Sequence, residues 1–168
     1  SSRKNYLPGM GLPELREAAA SFFQSEYELD TAMENTVVGP GSKELIFQLL
    51  ILLEGPFIIP APSWVSYGPQ AHILSKPVYT VSSERKNSYR LQAGEFNEVC
   101  KNLGTGQKIL ILNNPCNPTG AVYPPQELEE LAQVCRDQNV VVISDEIYAL
   151  IDFSGRKFVS ISKFYPEG

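Results

Sequence analysis

The pattern of hydrophobic and polar positions is clearest over residues 108–148, where two short apolar runs flank an amphipathic segment. The runs at 109–112 and 140–143 are rich in β-branched residues, which is typical of strands buried on both faces of a parallel sheet. Between them, residues 125–136 place four apolar side chains on one helical face. These are Leu128, Leu131, Ala132 and Cys135. The pattern therefore predicts a strand–helix–strand unit with parallel strands.

Similar patterns recur along the rest of the chain. Three more helices are predicted, at 12–24, 42–53 and 95–103, and the second is apolar nearly all round, which indicates burial. Short strands are predicted at 36–38, 57–59 and 77–81, with a further strand or extended edge at 149–154. Strands that alternate with helices in this way favour an α/β domain with a parallel sheet.

Polar side chains follow both strands of the central unit directly. Asn113, Asn114 and Asn117 come after the first strand, and Asp145 and Tyr148 after the second. In an open α/β sheet, ligands bind just past the carboxyl ends of the strands. The sequence therefore predicts a crevice there that holds amides, a carboxylate and a phenol.

A glycine-containing turn precedes the helix predicted from Ser42. Its sequence, G-P-G-S-K, ends at Gly41, Ser42 and Lys43. A turn of this kind presents free N–H groups and the positive end of the helix dipole, which suits a phosphate. The simpler interpretation, favoured for an isolated motif, is that Ser42 only caps its own helix. The single tryptophan, Trp64, also has two interpretations. It could be a platform for a ligand, but a lone tryptophan is more often a core residue.

Composition excludes several classes of function. The net charge is -5 and no basic stripe is present, so nucleic-acid binding has no electrostatic basis. No apolar run approaches the roughly 18 residues that span a bilayer. One histidine, His72, and three cysteines without metal-type spacing argue against a metal site. The cysteines are expected to be reduced thiols, so the expected location is the cytoplasm.

The motifs at the strand ends resemble a known family. N-P-C-N-P-T-G at 114–120, followed by S-D-E-I-Y at 144–148, resembles the pattern of class I/II pyridoxal-phosphate aminotransferases of fold type I. Three other stretches are similar to family segments: residues 5–16 with G-L-P-E-L-R, residues 41–43 with G-S-K, and residues 62–67 with P-S-W-V-S-Y. The motifs stand in the family's order and together cover nearly the whole chain.

The resemblance implies a three-layer α/β/α fold around a mostly parallel sheet, as in the large domain of that family. It also implies pyridoxal 5'-phosphate (PLP) as cofactor. Gly41, Ser42 and Lys43 correspond to the family's phosphate loop, and Trp64 corresponds to the residue that stacks on the pyridine ring.

The remaining site residues are also assigned by resemblance. Asp145 corresponds to the acid that keeps the ring nitrogen protonated, and Asn117 and Tyr148 to the donors for the ring's phenolate oxygen. The family commonly has a cis peptide after the residue equivalent to Asn117. Tyr6 corresponds to a tyrosine that reaches the partner subunit's cofactor phosphate, which implies a homodimer. Tyr67 stands where the family often has histidine, so what supports Asp145 is open.

Two family features are not found in the sequence. The Schiff-base lysine belongs to a stretch of the form S-K-x-x-x-x-x-G-x-R, and Ser162-Lys163 is not followed by that pattern. The arginine that binds the substrate carboxylate lies further downstream in the family. We therefore expect residues 1–168 to be a partial PLP-binding large domain without the N-terminal arm, the lysine segment and the small C-terminal domain, and to be inactive alone.

The expected activity is transfer of an amino group between an amino acid and a 2-oxo acid. Two alternatives share the scaffold: a PLP-dependent C–S lyase or cyclopropane-forming synthase, and a non-catalytic aminotransferase-like sensor. A nucleotide-binding Rossmann domain is disfavoured because no G-x-G-x-x-G follows the first strand.

Overall fold

The computed structural model describes residues 6–151, 153, 155 and 157–168, and these contain four strands and five α-helices. The strands are β1 Phe57–Ala61, β2 Val78–Ser82, β3 Lys108–Asn113 and β4 Val140–Asp145. The helices are α1 Pro13–Tyr27, α2 Ser42–Leu52, α3 Tyr67–Ile73, α4 Ala93–Asn102 and α5 Pro125–Asp137. Short 3-10 helices lie at Met33–Asn35, Arg85–Asn87 and Ile161–Lys163.

The strands form one sheet in the order β2-β1-β3-β4, and every neighbouring pair is parallel. β3 and β4 pair along their whole length, from Lys108 opposite Val140 to Asn113 opposite Asp145. The carboxyl ends of these two strands are therefore level, which brings the polar residues that follow them to the same edge of the sheet.

Helices cover both faces of the sheet. Along β3 the side chains alternate: Ile109 and Ile111 belong to the core under α2 and α3, whereas Leu110 and Leu112 belong to the core under α4 and α5. All six β3 residues are buried, as a central strand between two helical layers requires. The predicted three-layer α/β/α fold is confirmed.

The central strand–helix–strand unit agrees with its prediction. Both strands are present and slightly longer than expected, and the buried residues of α5 are the four that were predicted. α5 begins with Pro125, whose fixed φ and missing N–H suit the first turn of a helix. α1, α2 and α4, and the strands at 57–59 and 77–81, also lie close to where they were expected, whereas α3 was not predicted.

The predicted strand at 36–38 is wrong. These residues follow a 3-10 helix and pair with no strand in the described part of the chain. Their backbone groups are satisfied differently: Val38 N donates to Met10 O at 3.0 Å, and Arg16 Nε donates to Thr36 O at 2.7 Å. Because a side chain supplies the donor that a neighbouring strand would supply, no ladder forms.

Helix α2 differs from the expectations in its burial and in its N-cap, and the stretch after β4 differs in its conformation. Only Ile46 and Leu50 of α2 are buried, and Leu52 is 77% exposed, because only one face of the helix packs against the sheet. Gly41, not Ser42, is the N-cap, and no side chain caps the helix. A strand or extended edge was expected at 149–154, but residues 147–150 form a turn. Residues 152 and 154 of that stretch lie outside the described residues.

Candidate functional site

A cavity of about 350 Å³ opens at the carboxyl ends of β3 and β4, and we call it the site cavity. It is lined by Gly41, Ser42, Lys43, Trp64, Tyr67, Asn113, Asn117, Asp145, Ile147 and Tyr148. Seven of the eight residues predicted for cofactor binding are among these. The eighth, Tyr6, is fully exposed and does not line the cavity. Its predicted role concerns a partner subunit's site and stays a prediction.

Asp145 supplies the carboxylate of the site cavity. It is the last residue of β4 and is only 8% exposed. The Tyr67 hydroxyl donates to its Oδ2 at 2.6 Å, and Ile147 N makes a longer bond of 3.4 Å to its Oδ1. Tyr67 therefore supports Asp145, where the sequence left the supporting group open.

The Tyr67 phenol is held in its neutral form. Its side chain is 1% exposed, and burial raises its pKa far above the ordinary value for tyrosine. The bond to Asp145 acts in the same direction, since a phenolate next to a carboxylate is unfavourable. Tyr67 is therefore a hydrogen-bond donor throughout the ordinary pH range.

Asn113 joins the ends of the two central strands, a role that the sequence did not show. Its Nδ2 donates to Asp145 O at 2.8 Å, and its Oδ1 accepts from Asn117 N at 2.7 Å. One buried amide thus fixes both the acid and the amide of the site cavity. The sequence signal was a polar residue at the last position of a fully buried strand, which requires internal hydrogen-bond partners.

The turn that carries Asn117 has the expected backbone features. The peptide bond between Asn117 and Pro118 is cis, as is the one between Asn114 and Pro115. Gly120 has a φ of +70°, a conformation that favours glycine, and its N–H donates to Cys116 O at 2.7 Å. Asn117, which lies in this turn, lines the site cavity.

The start of α2 lies across the site cavity from the strand ends. The N–H groups of Ser42 and Lys43 are in the first helical turn, where helix geometry provides no acceptor for them. The Lys43 ammonium lies 5.6 Å from the centroid of the Trp64 ring. This side of the site cavity therefore combines free N–H groups, the positive end of a helix and a lysine, and it suits an anion.

The Trp64 indole has its own support. It meets the Tyr67 ring edge to face, with centroids 5.3 Å apart and planes at 83°. The site cavity thus contains a carboxylate, an anion-binding helix start, a flat aromatic ring, and an amide and a phenol from Asn117 and Tyr148. These groups fit a planar ligand that has a protonated ring nitrogen, a phenolate oxygen and a phosphate.

The structure also bears on other kinds of site. In the part of the chain that the structure describes, no group of three or more His, Cys, Asp or Glu side chains is placed to hold a metal ion. No helix within the same residues is long and apolar enough to cross a membrane.

The three cysteines are free thiols, and burial raises the pKa of Cys100 to about 11 and that of Cys135 to about 12.

Comparison with known proteins identifies the family. Residues 1–167 match the family described as Aminotransferase class I and II, and the chain belongs to that family. It is 36% identical to an aspartate aminotransferase from Bacillus sp. (strain YM-2), over 96% of this chain and 41% of the relative. It is 32% identical to an asparagine–oxo-acid transaminase from Streptococcus mutans, over 94% of this chain and 40% of the relative.

Solved structures show the same similarity in three dimensions. An aspartate aminotransferase from Thermus thermophilus with maleate superposes with a TM-score of 0.88 at 34% identity, over 97% of this chain and 42% of that one. The enzyme from Rhizobium meliloti also gives 0.88, at 28% identity, over 96% of this chain and 41% of that one. The chain thus spans about two fifths of the length of the relatives it matches.

Proposed function

We propose that the protein containing this chain is a PLP-dependent aminotransferase that transfers an amino group between an amino acid and a 2-oxo acid. One observation carries the proposal: seven residues chosen from sequence motifs line one cavity, which contains a buried carboxylate at the strand ends and the start of a helix. Membership of the aminotransferase family supports it.

When bound, PLP supplies a protonated pyridine ring that acts as an electron sink for the substrate Cα. Asp145 is suited to hold the proton on the ring nitrogen, because a carboxylate close to that nitrogen favours its cationic form. Burial at the end of β4 strengthens the effect by reducing screening from water.

The other residues bind and orient the cofactor. Asn117, Tyr148 and Trp64 all line the site cavity. The first two are suited to donate hydrogen bonds to the phenolate oxygen, and the Trp64 ring is suited to cover one face of the cofactor ring. The amides of Ser42 and Lys43 are suited to the phosphate, with Gly41 leaving open space for its approach.

The other catalytic and substrate-binding groups are proposed to belong to other parts of the protein. The relatives are much longer than this chain, and we propose that the Schiff-base lysine, the carboxylate-binding arginine and a small domain lie outside residues 1–168. We further propose a homodimer, in which Tyr6 reaches the neighbouring subunit's cofactor phosphate, and a cytoplasmic location.

The test is to change Asp145→Ala in the whole protein and to measure PLP binding and transamination. The wild type should bind PLP and convert a 2-oxo acid into its amino acid. D145A should lower kcat at least about 100-fold, the order of effect seen when one preorganised electrostatic group is removed.

Asp137→Ala, an exposed carboxylate at the end of α5, is the matched control and should turn over normally. Normal turnover by D145A, or a wild type that binds no PLP, would refute the proposal. Release of a thiol and ammonia, instead of amino transfer, would identify a C–S lyase. PLP binding without any turnover would identify a sensor.

A further inference from the structure

The side chain of Gln70, in α3, reaches the start of α2. Its Nε2 donates to Lys43 O at 2.8 Å. A carbonyl can only accept, so the amide must turn its NH₂ group toward Lys43. Gln70 is 7% exposed, and its neighbour Ala71 is wholly buried in the core that α2 and α3 form with the sheet. Packing therefore fixes the position of this donor.

The first turn of α2 depends on this bond. Its N-cap is Gly41, and no side chain caps the helix. Among the described residues, the bond from Gln70 is the one side-chain hydrogen bond to the backbone of residues 41–45. Helix ends without a cap have unpaired N–H groups and tend to fray. Because the peptide units of one helical turn move together, a fixed Lys43 carbonyl also fixes the N–H groups of Ser42 and Lys43.

We propose that Gln70 is a positioning residue, which acts through Lys43 O to hold the first turn of α2 with its N–H groups toward the cofactor phosphate. The inference rests on the proposed function and adds to it a residue outside the lining of the site cavity. Tyr67 of the same helix bonds Asp145, the group assigned to the ring nitrogen. The short helix α3 is therefore bonded both to that acid and to the helix start assigned to the phosphate.

The other half of the Gln70 amide indicates that this residue contributes little to stability. Its Oε1 is buried and has no hydrogen-bond partner among the described residues. A buried acceptor without a partner costs free energy, and Lys43 O lies in an α-helix, where the N–H four residues further on is its regular partner. A methionine of similar length would fill the same space without an unpartnered atom. A glutamine that served only the fold would thus be a poorer choice than methionine.

The test uses the whole protein with Gln70→Met, and Gln48→Met on the exposed side of α2 as the matched control. Apparent dissociation constants are measured for PLP and for pyridoxal, which lacks the phosphate. Q70M should bind PLP roughly tenfold more weakly, the effect of one hydrogen bond, and should bind pyridoxal as the wild type does. Without PLP, Q70M should melt at the wild-type temperature or above it. Q48M should match the wild type in all three measurements.

Unchanged PLP binding by Q70M, or an equal loss for PLP and pyridoxal, would overturn the inference, since a merely structural role weakens both ligands alike. If Q70M does not fold, as judged by circular dichroism, Gln70→Glu decides, with Gln48→Glu as the control for the added charge. The carboxylate has the shape of the amide but no donor at neutral pH, so the preference for PLP over pyridoxal should fall. An unchanged preference in Q70E would overturn the inference, whereas a wild type that binds no PLP would refute the proposed function.

Discussion

Glu146 follows Asp145 directly and lies in a different environment. Its Oε1 accepts hydrogen bonds from Ser144 Oγ at 2.7 Å and from Ser160 Oγ at 2.6 Å. Burial raises the pKa of Glu146 above its ordinary value, an effect that the two hydroxyls partly offset and that the neighbouring Asp145 charge reinforces. The folded state therefore binds this proton more tightly than the unfolded state does, so this group's contribution to stability falls as the pH rises above about 4.

Glu146→Gln should remove this pH dependence. The glutamine keeps an Oε1 that accepts from both serines, but it carries no charge that must be buried. The melting temperature of E146Q should rise relative to that of the wild type as the pH increases from about 4 to 7. Thermal unfolding at matched scan rates checks this, with Glu129→Gln on the exposed face of α5 as the control. A difference between E146Q and the wild type that does not vary with pH would contradict the assignment.

At the scale of elements, two glycines differ in whether the structure has space for a side chain at their position. Gly55, in the turn from α2 to β1, has a φ of +98°, and a Cβ there would lie 2.0 Å from Gln107 O. Gly94, in the first turn of α4, is exposed and would meet no atom within 4 Å. The turn at Gly55 brings the chain against the backbone before β3, so a side chain has no space there.

Gly55→Ala should therefore destabilise the protein by at least about 2 kcal/mol, because it adds left-handed backbone strain to a backbone clash. Gly94→Ala should be neutral or should stabilise it by up to about 1 kcal/mol, since alanine loses less conformational freedom in a helix. Urea unfolding of both variants checks the pair. Equal effects of the two changes would show that the close approach at Gln107 is not rigid.

The elements that the sequence predicted well are those with a periodic pattern of their own. In α5 the apolar residues recur with a helical period, and the segment lies between two β-branched runs, so its four buried residues could be named in advance. The stretch 36–38 has no such constraint, because the Arg16 side chain and Met10 O, both distant in sequence, decide its hydrogen bonds. The exposed face of α2 was missed for a similar reason, since composition alone does not show which of its faces the sheet covers.

At the scale of the whole molecule, parallel topology explains why the site residues could be predicted. Asn117 follows β3 and Asp145 ends β4, and these strands are adjacent and parallel, so motif and topology together place the two residues at one edge. The contacts between site residues were not predictable, because they depend on side-chain packing across elements. Tyr67 reaches Asp145 across 78 positions of sequence, and only the fold shows that bond.

The packing of α1 against the end of the described chain allows a last prediction. Tyr27 and Phe158 are buried together with Ala149, with ring centroids 5.2 Å apart. Beside them, Glu28 forms ion pairs of 2.7 Å with both Lys157 and Lys163. These three charged side chains are largely exposed, so solvent and salt screen their attraction, whereas truncating a buried phenylalanine to alanine costs about 3–5 kcal/mol.

Phe158→Ala should therefore weaken the packing of α1 against the rest of the domain, while Glu28→Gln should change that packing little. Amide hydrogen exchange on the whole protein separates the two cases. F158A should accelerate exchange across α1 and leave β3 protected, because β3 belongs to the cores on the two faces of the sheet and not to the Tyr27 cluster. Faster exchange in E28Q than in F158A would show that the ion pairs, and not the aromatic contact, attach α1 to the rest of the domain.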